Sequence, residues 1–223
     1  MFMKRLENID NWKNKSLYIV SASYVFIAIT LGFILNNGLV IFLGWNMILA
    51  TIPLLLTHFY LYQKSKFLRL GIAFLYILFF PNSIYIMTDF IHFQEYTYFL
   101  DYPNIYAYLI EDWIVFVHVV IGALISSKIG MRSLDILSNE LTNIRPHVKN
   151  LLIHALFLLS SIAIFIGRFI RFNSWQFYKI NLMIKDILSH FQFFIFFVLL
   201  MFIMHWVIYF VFHEKKEPMA HIK

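Results

Sequence analysis

The stretch FLRLGIAFLYILFFPNSIYIMTDFIHF, residues 67–93, decides how this chain folds. Its first part, residues 67–80, is apolar apart from a single arginine. This apolar part ends at Pro81, and Asp89 and His92 follow on the next turns. About 20 apolar residues allow one helix to cross the hydrocarbon core of a membrane. The stretch therefore predicts a membrane-spanning helix that is broken at the proline and ends in polar side chains.

The composition of the whole chain predicts the same class of protein. The 223 residues are 61% hydrophobic and only 13% charged, whereas soluble domains carry about 25% charged residues. A chain so poor in charge cannot cover a globular surface with polar groups, so lipid must solvate it. The absence of cysteine excludes disulfides, thiolate catalysis and zinc sites that use cysteine. Nucleic-acid binding is not indicated, because Lys and Arg lie between apolar runs and form no contiguous patch.

Six apolar runs are long enough to span a membrane, and they must be helices because lipid cannot satisfy unpaired backbone groups. We predict an all-α, polytopic bundle of six transmembrane helices, forming a single domain over residues 1–223. The first run ends without a small-x-small cleavage site, so we interpret it as a retained span and not as a signal peptide. The predicted spans are residues 17–35, 39–62, 67–87, 106–127, 150–170 and 191–212.

The distribution of Lys and Arg predicts the orientation of the spans. The first and third connections, residues 36–38 and 88–105, contain neither, whereas both termini and the second and fourth connections are basic. The positive-inside rule then puts both termini in the cytoplasm. The fifth connection breaks the pattern with four basic residues on the outer side: Arg168, Arg171, Lys179 and Lys185.

Two connecting segments have the pattern of amphipathic helices that lie on the membrane surface. In residues 175–191 and 131–146, apolar side chains recur at helical spacing opposite polar ones. Pro146 ends the pattern of the second segment. We expect short interfacial helices in both places.

Charged residues of several spans are predicted to converge at one depth near the outer surface. A rise of about 1.5 Å per helical residue gives similar heights to six of them. A charge in hydrocarbon is costly unless it finds a partner, water or a ligand. We therefore expect Arg168 and Arg171 to pair with Asp89, Glu111 or Asp112. Asn82 and Ser83 are expected to bond the carbonyls that Pro81 frees. The converging residues are Asp89, Glu111, Asp112, Arg168, Arg171 and His190.

Two motifs resemble a known family. PNSIYIMTDFIHF (81–93) and IFIGRFIRFNSWQ (164–176), with WN at 45–46 and DW at 112–113, resemble the bacterial membrane family of domain of unknown function 1361. The resemblance implies a multipass protein of the bacterial plasma membrane and brings no established activity. The chain departs from the family pattern at three positions, and the third departure weakens a catalytic role there: Ile84, Phe172 and Gln176 stand for the more frequent Pro, Trp and Asp.

The leading functional hypothesis is recognition of an anionic or polyol ligand of the cell envelope, such as a lipid-linked sugar or a phosphate headgroup. Arginine suits this role because its planar guanidinium binds phosphate and carboxylate in a bidentate manner. Arg168 and Arg171 would hold the anion, and neighbouring amides and hydroxyls would orient it. The predicted ligand-binding residues are Asn82, Tyr85, Thr88, Arg168, Arg171, Asn173, Ser174 and Trp175.

An enzyme would use the acidic and histidine side chains of the same layer. Asp89, His92, Glu111 and Asp112 are the candidates for acid/base chemistry. Asp89, His92 and His190 offer an oxygen and nitrogen set for a metal ion. Structural interpretations compete with both: Asp89 and His92 could form a hydrogen-bonded pair that caps the broken helix, and the acids could only neutralise the arginines.

Two other classes of protein remain open. A proton-coupled carrier would need a polar path, for which Glu111, His118 and Asn46 are the candidates. A structural subunit of a membrane complex would need only the ion pairs, with Asn46 bonding between helices. The chain has no GxxxxGK[ST] or GxGxxG motif, so an ATP-driven pump is not expected. The sequence names no cofactor, metal or oligomeric state.

Overall fold

The computed structural model describes residues 12–100, 105–141, 144–170 and 180–214, and it contains the six predicted membrane spans. A 3₁₀ helix, Ile86–Glu95, extends the third span, and a π-helical turn, Ile166–Ile170, extends the fifth. The described residues form no β-sheet, and their one isolated bridge joins Phe99 to Tyr106. The α-helices are α1 Trp12–Ile34, α2 Gly38–Tyr62, α3 Lys66–Phe79, α4 Asn82–Tyr85, α5 Ile110–Glu140, α6 Pro146–Phe165, α7 Ile180–Ser189 and α8 Phe191–Phe212.

The spans run up and down, so their ends form two faces. The terminal face holds the beginnings of α1, α3 and α6 and the ends of α2, α5 and α8. The distal face holds the opposite ends, including the 3₁₀ helix and the π-helical turn. Hydrogen bonds between distant residues hold each face together. Arg132 donates to Asn14 at 2.8 Å on the terminal face, and Asn37 donates to Tyr96 at 2.9 Å on the distal face.

Two clusters of buried side chains join the spans. The first packs α1 and α2 against α5, with Met47 and Val119 at its centre. The second packs α3 against α6 and α8, with Phe157 and Ile208 at its centre. Large apolar side chains also cover much of the outside of the bundle, as expected where the surrounding solvent is lipid.

The third span is broken where the sequence predicts it. α3 ends at Phe79, and Pro81 follows in a turn. The side chain of Asn82 donates to the Phe79 carbonyl at 3.0 Å, and the Ser83 hydroxyl donates to the Phe80 carbonyl at 2.5 Å. Both side chains thus satisfy backbone acceptors that lipid could not. The predicted role of Asn82 and Ser83 is confirmed.

The prediction of a separate interfacial helix at residues 131–146 is wrong. Residues 131–140 continue α5 without interruption, and α6 begins at Pro146. An interfacial helix needs a polar face in water, but here both kinds of side chain are buried: Leu134 in the second cluster, and Ser133 and Asp135 against neighbouring elements. The other predicted amphipathic segment does contain a separate helix, α7, although residues 175–179 lie outside the described residues.

Candidate functional site

The centre of the distal site is an ion pair between two spans. Arg168, in the π-helical turn after α6, donates through Nη2 to Oδ1 of Asp89 in the 3₁₀ helix at 2.5 Å. Asn46 of α2 donates to the other carboxylate oxygen at 3.1 Å. Asp89 is fully buried, whereas the Arg168 side chain is 15% exposed. The carboxylate therefore ties the second, third and fifth spans together.

Thr88 and Tyr85 fix the orientation of the Arg168 guanidinium. The Thr88 hydroxyl accepts from Nε at 3.1 Å and from Nη2 at 2.5 Å, and it donates to the Tyr85 carbonyl at 2.7 Å. The Tyr85 ring lies under the guanidinium, with Cζ of Arg168 4.7 Å from the ring centre, a distance typical of a cation–π contact. A Cβ on Gly167 would lie 3.4 Å from the Tyr85 ring, in ordinary van der Waals contact, so the two segments are close neighbours at this residue.

Of the three acids that the sequence offers as partners of Arg168, Asp89 takes that role, whereas Glu111 and Asp112 do not. Glu111 is exposed at the beginning of α5. Asp112 accepts a hydrogen bond from the Thr97 N–H at 2.9 Å, and its carbonyl accepts from the Tyr98 hydroxyl at 3.4 Å. Burial and, after it, the Asp112 carboxylate raise the pKa of Tyr98 to about 12, so this hydroxyl stays protonated and donates. Asp112 thus holds the loop before α5.

His92 pairs with an acid that the sequence interpretation does not include. Its Nδ1 lies 2.8 Å from Oε1 of Glu95, one turn further along the same 3₁₀ helix. The predicted hydrogen-bonded pair of Asp89 and His92 is therefore wrong. This pair could have been predicted from the sequence, because His92 and Glu95 are three residues apart and residues at this spacing share one face of a helix.

The predicted metal site does not form in the described part of the chain. His190, directly after α7, is exposed, and its Nδ1 lies 3.6 Å from the carboxylate of Asp186 one turn earlier. Among the described residues, no group of three or more His, Asp or Glu side chains converges as a metal site would require.

Four of the predicted ligand-binding residues lie outside the described residues: Arg171, Asn173, Ser174 and Trp175. Of the others, Thr88, Tyr85 and Arg168 are in mutual contact. Asn82 does not take part in this contact, because its side-chain amide donates to the Phe79 carbonyl. The structure thus brings three of the eight predicted ligand-binding residues together around Asp89.

The residues proposed for a carrier path do not line up as one chain of polar groups. Asn46 is bonded to Asp89, as expected for a residue that joins helices. His118 is buried on α5 and stacks on Tyr24 of α1, with 4.3 Å between ring centres. Its Nε2 has no hydrogen-bond partner among the described residues, whereas Glu111 is exposed at the helix start.

A second polar cluster, on the terminal face, is absent from the sequence predictions. The carboxylate of Asp135 is bound by the His213 side chain and accepts from the Glu214 N–H at 3.0 Å. Arg132 donates to Asn14 at 2.8 Å and lies 3.4 Å from the Glu214 carboxylate. We call these five residues the terminal network. It attaches the end of α8 and the beginning of α1 to α5.

One sequence signal could have indicated that the buried side of α5 continues beyond residue 127. Small residues recur every four positions at Gly122, Ser126 and Gly130, and Ser133 follows. Small residues at this spacing are typical of close contact between membrane helices. They continue past the predicted end of the span at residue 127, and so does the helix.

The fold and the distal site together define a multipass membrane protein in which an ion pair joins the two sequence motifs. The family model described as "Protein of unknown function (DUF1361)" matches residues 45–208, and the chain belongs to this family. The matched region includes Asn46, Asp89 and Arg168. No curated protein and no solved structure matches this chain.

Proposed function

We propose that this protein lies in the bacterial plasma membrane with both termini in the cytoplasm and binds an anionic ligand at its distal face. The ligand would carry a phosphate or carboxylate group, as lipid-linked envelope molecules do. The observation that supports the proposal is the Arg168 guanidinium, which Asp89 and Thr88 hold in a fixed orientation near the end of two spans.

Arg168 retains a hydrogen-bonding edge for a ligand. Nε and Nη2 are used by Thr88 and Asp89, whereas none of the hydrogen bonds among the described residues uses Nη1. The side chain is 15% exposed, so this edge is within reach of a group that enters from the membrane interface. Hydrogen bonds from a guanidinium to phosphate or carboxylate are about twice as strong as neutral ones.

The charge balance indicates that a second cation takes part. Asp89 already neutralises Arg168, so an added anion would leave the site with a net negative charge. Arg171 lies three residues further along the sequence. We assign Arg171 as the second cation and Asn173, Ser174 and Trp175 as further ligand contacts, all outside the described residues.

If the site also transfers a proton, His92 is better suited to do so than Asp89. Asp89 is fully buried, and both of its carboxylate oxygens already accept hydrogen bonds, so its role is to position Arg168. The Glu95 carboxylate, 2.8 Å from Nδ1, would hold the His92 imidazole with Nε2 facing away. Such a carboxylate-oriented imidazole is a common general base. Glu111 and Asp112 would act, if at all, on a part of the ligand that reaches the start of α5.

A purely structural function is the second candidate. It is favoured by the complete burial of Asp89, whose carboxylate connects three spans. On this alternative the ion pair braces the broken third span, and no ligand enters. The two candidates differ in whether an added anion stabilises the folded protein.

The test is the thermal unfolding of the detergent-purified protein with inorganic phosphate, with polyprenyl phosphate, and with zinc, manganese or EDTA. Arg168→Lys keeps the positive charge beside Asp89 but removes the planar fork. We expect polyprenyl phosphate to stabilise the wild type and to lose this effect in the lysine variant. His92→Ala is compared with His190→Ala, a matched control because His190 is also a histidine of the distal face beside an acid.

The outcomes separate the candidates. Stabilisation of the wild type and of His190→Ala, with a loss in Arg168→Lys, supports anion binding at this site. If no addition shifts the wild type and the variants only unfold at lower temperature, the structural alternative is correct.

A further inference from the structure

A groove opens on the outside of the bundle near the terminal face. It encloses about 300 Å³ between α3, α5 and α6, at the lower end of the range of about 300–1,000 Å³ for ligand pockets. Tyr76 and Leu156 form part of a buried floor, while Ile77, Leu152 and Leu159 on the rim are about half exposed. The groove therefore faces the acyl chains of the surrounding lipid.

One end of the groove is basic and the rest is apolar. Lys149 lines it, and on the same face of α6 the lining continues through Leu152, Leu156 and Leu159. Arg145 precedes Lys149 by one helical turn, and its carbonyl accepts the Lys149 N–H at 3.1 Å. From Lys149 to Leu159 the helix rises about 15 Å. This is half of a hydrocarbon core of about 30 Å, so the lining of the groove along α6, counted from its basic end at Lys149, is as long as one leaflet is deep.

The basic end is not neutralised within the described part of the chain. None of the ion pairs among the described residues uses Lys149 or Arg145. Glu140, the nearest acid before them in the sequence, is bonded to Arg69 at 3.0 Å. The positive charge at this end is therefore available to an anionic group from outside the protein.

We propose that the groove binds one anionic phospholipid of the surrounding bilayer. Its acyl chain would lie along the wall from Leu152 to Leu159, and its phosphate would contact Lys149 and Arg145. Basic pockets between membrane helices are typical sites for anionic headgroups. An amphiphile fits because the groove changes from charged to apolar in one direction along α6. This site lies on the opposite face from Arg168 and does not depend on the proposed anion binding there.

The test compares phosphatidylglycerol with phosphatidylcholine of identical acyl chains, added to the delipidated protein in detergent. Native mass spectrometry measures the dissociation constant of each bound lipid. We expect tighter binding of phosphatidylglycerol to the wild type. Lys149→Gln should weaken it about fivefold, from ~1 kcal/mol per basic residue near a headgroup. Phosphatidylcholine binding should be unchanged, and Lys149→Arg should restore phosphatidylglycerol binding.

Two further variants keep the test specific. Lys64→Gln removes the same charge from the connection between α2 and α3 on the same face, so it is the matched control and should leave binding unchanged. Ala73→Leu adds side-chain volume at a position that lines the groove. Because the added atoms enter existing space, the protein should stay folded, as its circular dichroism would show, while binding of phosphatidylglycerol falls.

Three results would overturn the proposal. The first is equal affinity of the wild type for the two lipids. The second is an equal loss of affinity in Lys64→Gln and Lys149→Gln, which would mean diffuse attraction to the terminal face. The third is unchanged phosphatidylglycerol binding in Ala73→Leu, which would place the lipid elsewhere.

Discussion

The replacement of Asp89 by asparagine removes the charge of the central ion pair and almost nothing of its shape. In the wild type the carboxylate accepts from Arg168 at 2.5 Å and from Asn46 at 3.1 Å and is fully buried. In Asp89→Asn, the Arg168 guanidinium loses its counter-charge and keeps the Thr88 hydroxyl, which is neutral. The positive charge of Arg168 then remains without a counter-charge inside a membrane span.

The size of the effect follows from the burial of the two partners. Removing one member of a buried ion pair costs ~3–5 kcal/mol. The Arg168 side chain is 15% exposed, so water at the interface solvates part of the remaining charge, and we expect the lower end, about 3 kcal/mol. Arg168→Gln removes the other partner and should cost a similar amount, because it leaves a buried carboxylate that retains only Asn46.

The double variant Asp89→Asn/Arg168→Gln tests directly whether the two side chains stabilise each other. It contains no buried charge at this site, so its loss of stability should be smaller than the sum of the two single losses by about 2 kcal/mol. The free energy of unfolding is measured by titration with sodium dodecyl sulfate in mixed micelles, followed by circular dichroism. If the two single losses add within about 0.5 kcal/mol, the two side chains do not stabilise each other and the proposed brace is wrong.

Three other substitutions test the packing of the bundle in the same unfolding assay or by amide exchange. Ser83→Ala should cost about 1 kcal/mol, because the buried hydrogen bond from the hydroxyl to the Phe80 carbonyl is lost and only the backbone N–H of residue 83 still donates to that carbonyl; no loss would mean that the N–H alone satisfies it. Gly130→Ala should cost ~1–3 kcal/mol, because the new Cβ would collide with the Ser83 side chain, and an unchanged stability would show that α4 moves away freely. Asp135→Ala should speed exchange of the Glu214 amide, whose N–H it accepts at 3.0 Å, whereas an unchanged rate would mean that the terminal network does not hold the chain end.

Much of the distal site is predictable from the sequence, because the motifs contain both partners. Pro81 with Asn82 and Ser83 indicates the break and the groups that satisfy it. Arg168 in a span needs a counter-charge, and Asp89 is correctly predicted among three candidate acids. The choice among those acids depends on how the helices are rotated about their axes. Periodicity alone does not tell whether Glu111 and Asp112 face Arg168.

The terminal network shows what depended on the tertiary structure. Asp135 and His213 are far apart in the sequence, and residues 131–146 have the apolar spacing of a surface helix. The same spacing suits a helix that packs inside the bundle, provided that its polar side chains find partners inside the protein. Only the packing of α8 and α1 against α5 supplies those partners.

The sequence by itself determined the six spans and the position of the break, because each depends on a local condition. In lipid every backbone group must be satisfied within its own segment, so apolar length and a proline are enough to indicate a helix and its interruption. Side-chain partners follow no such local rule. Which acid meets Arg168, which acid orients His92 and where a basic groove opens toward lipid were decided by the relative depth and rotation of the packed helices.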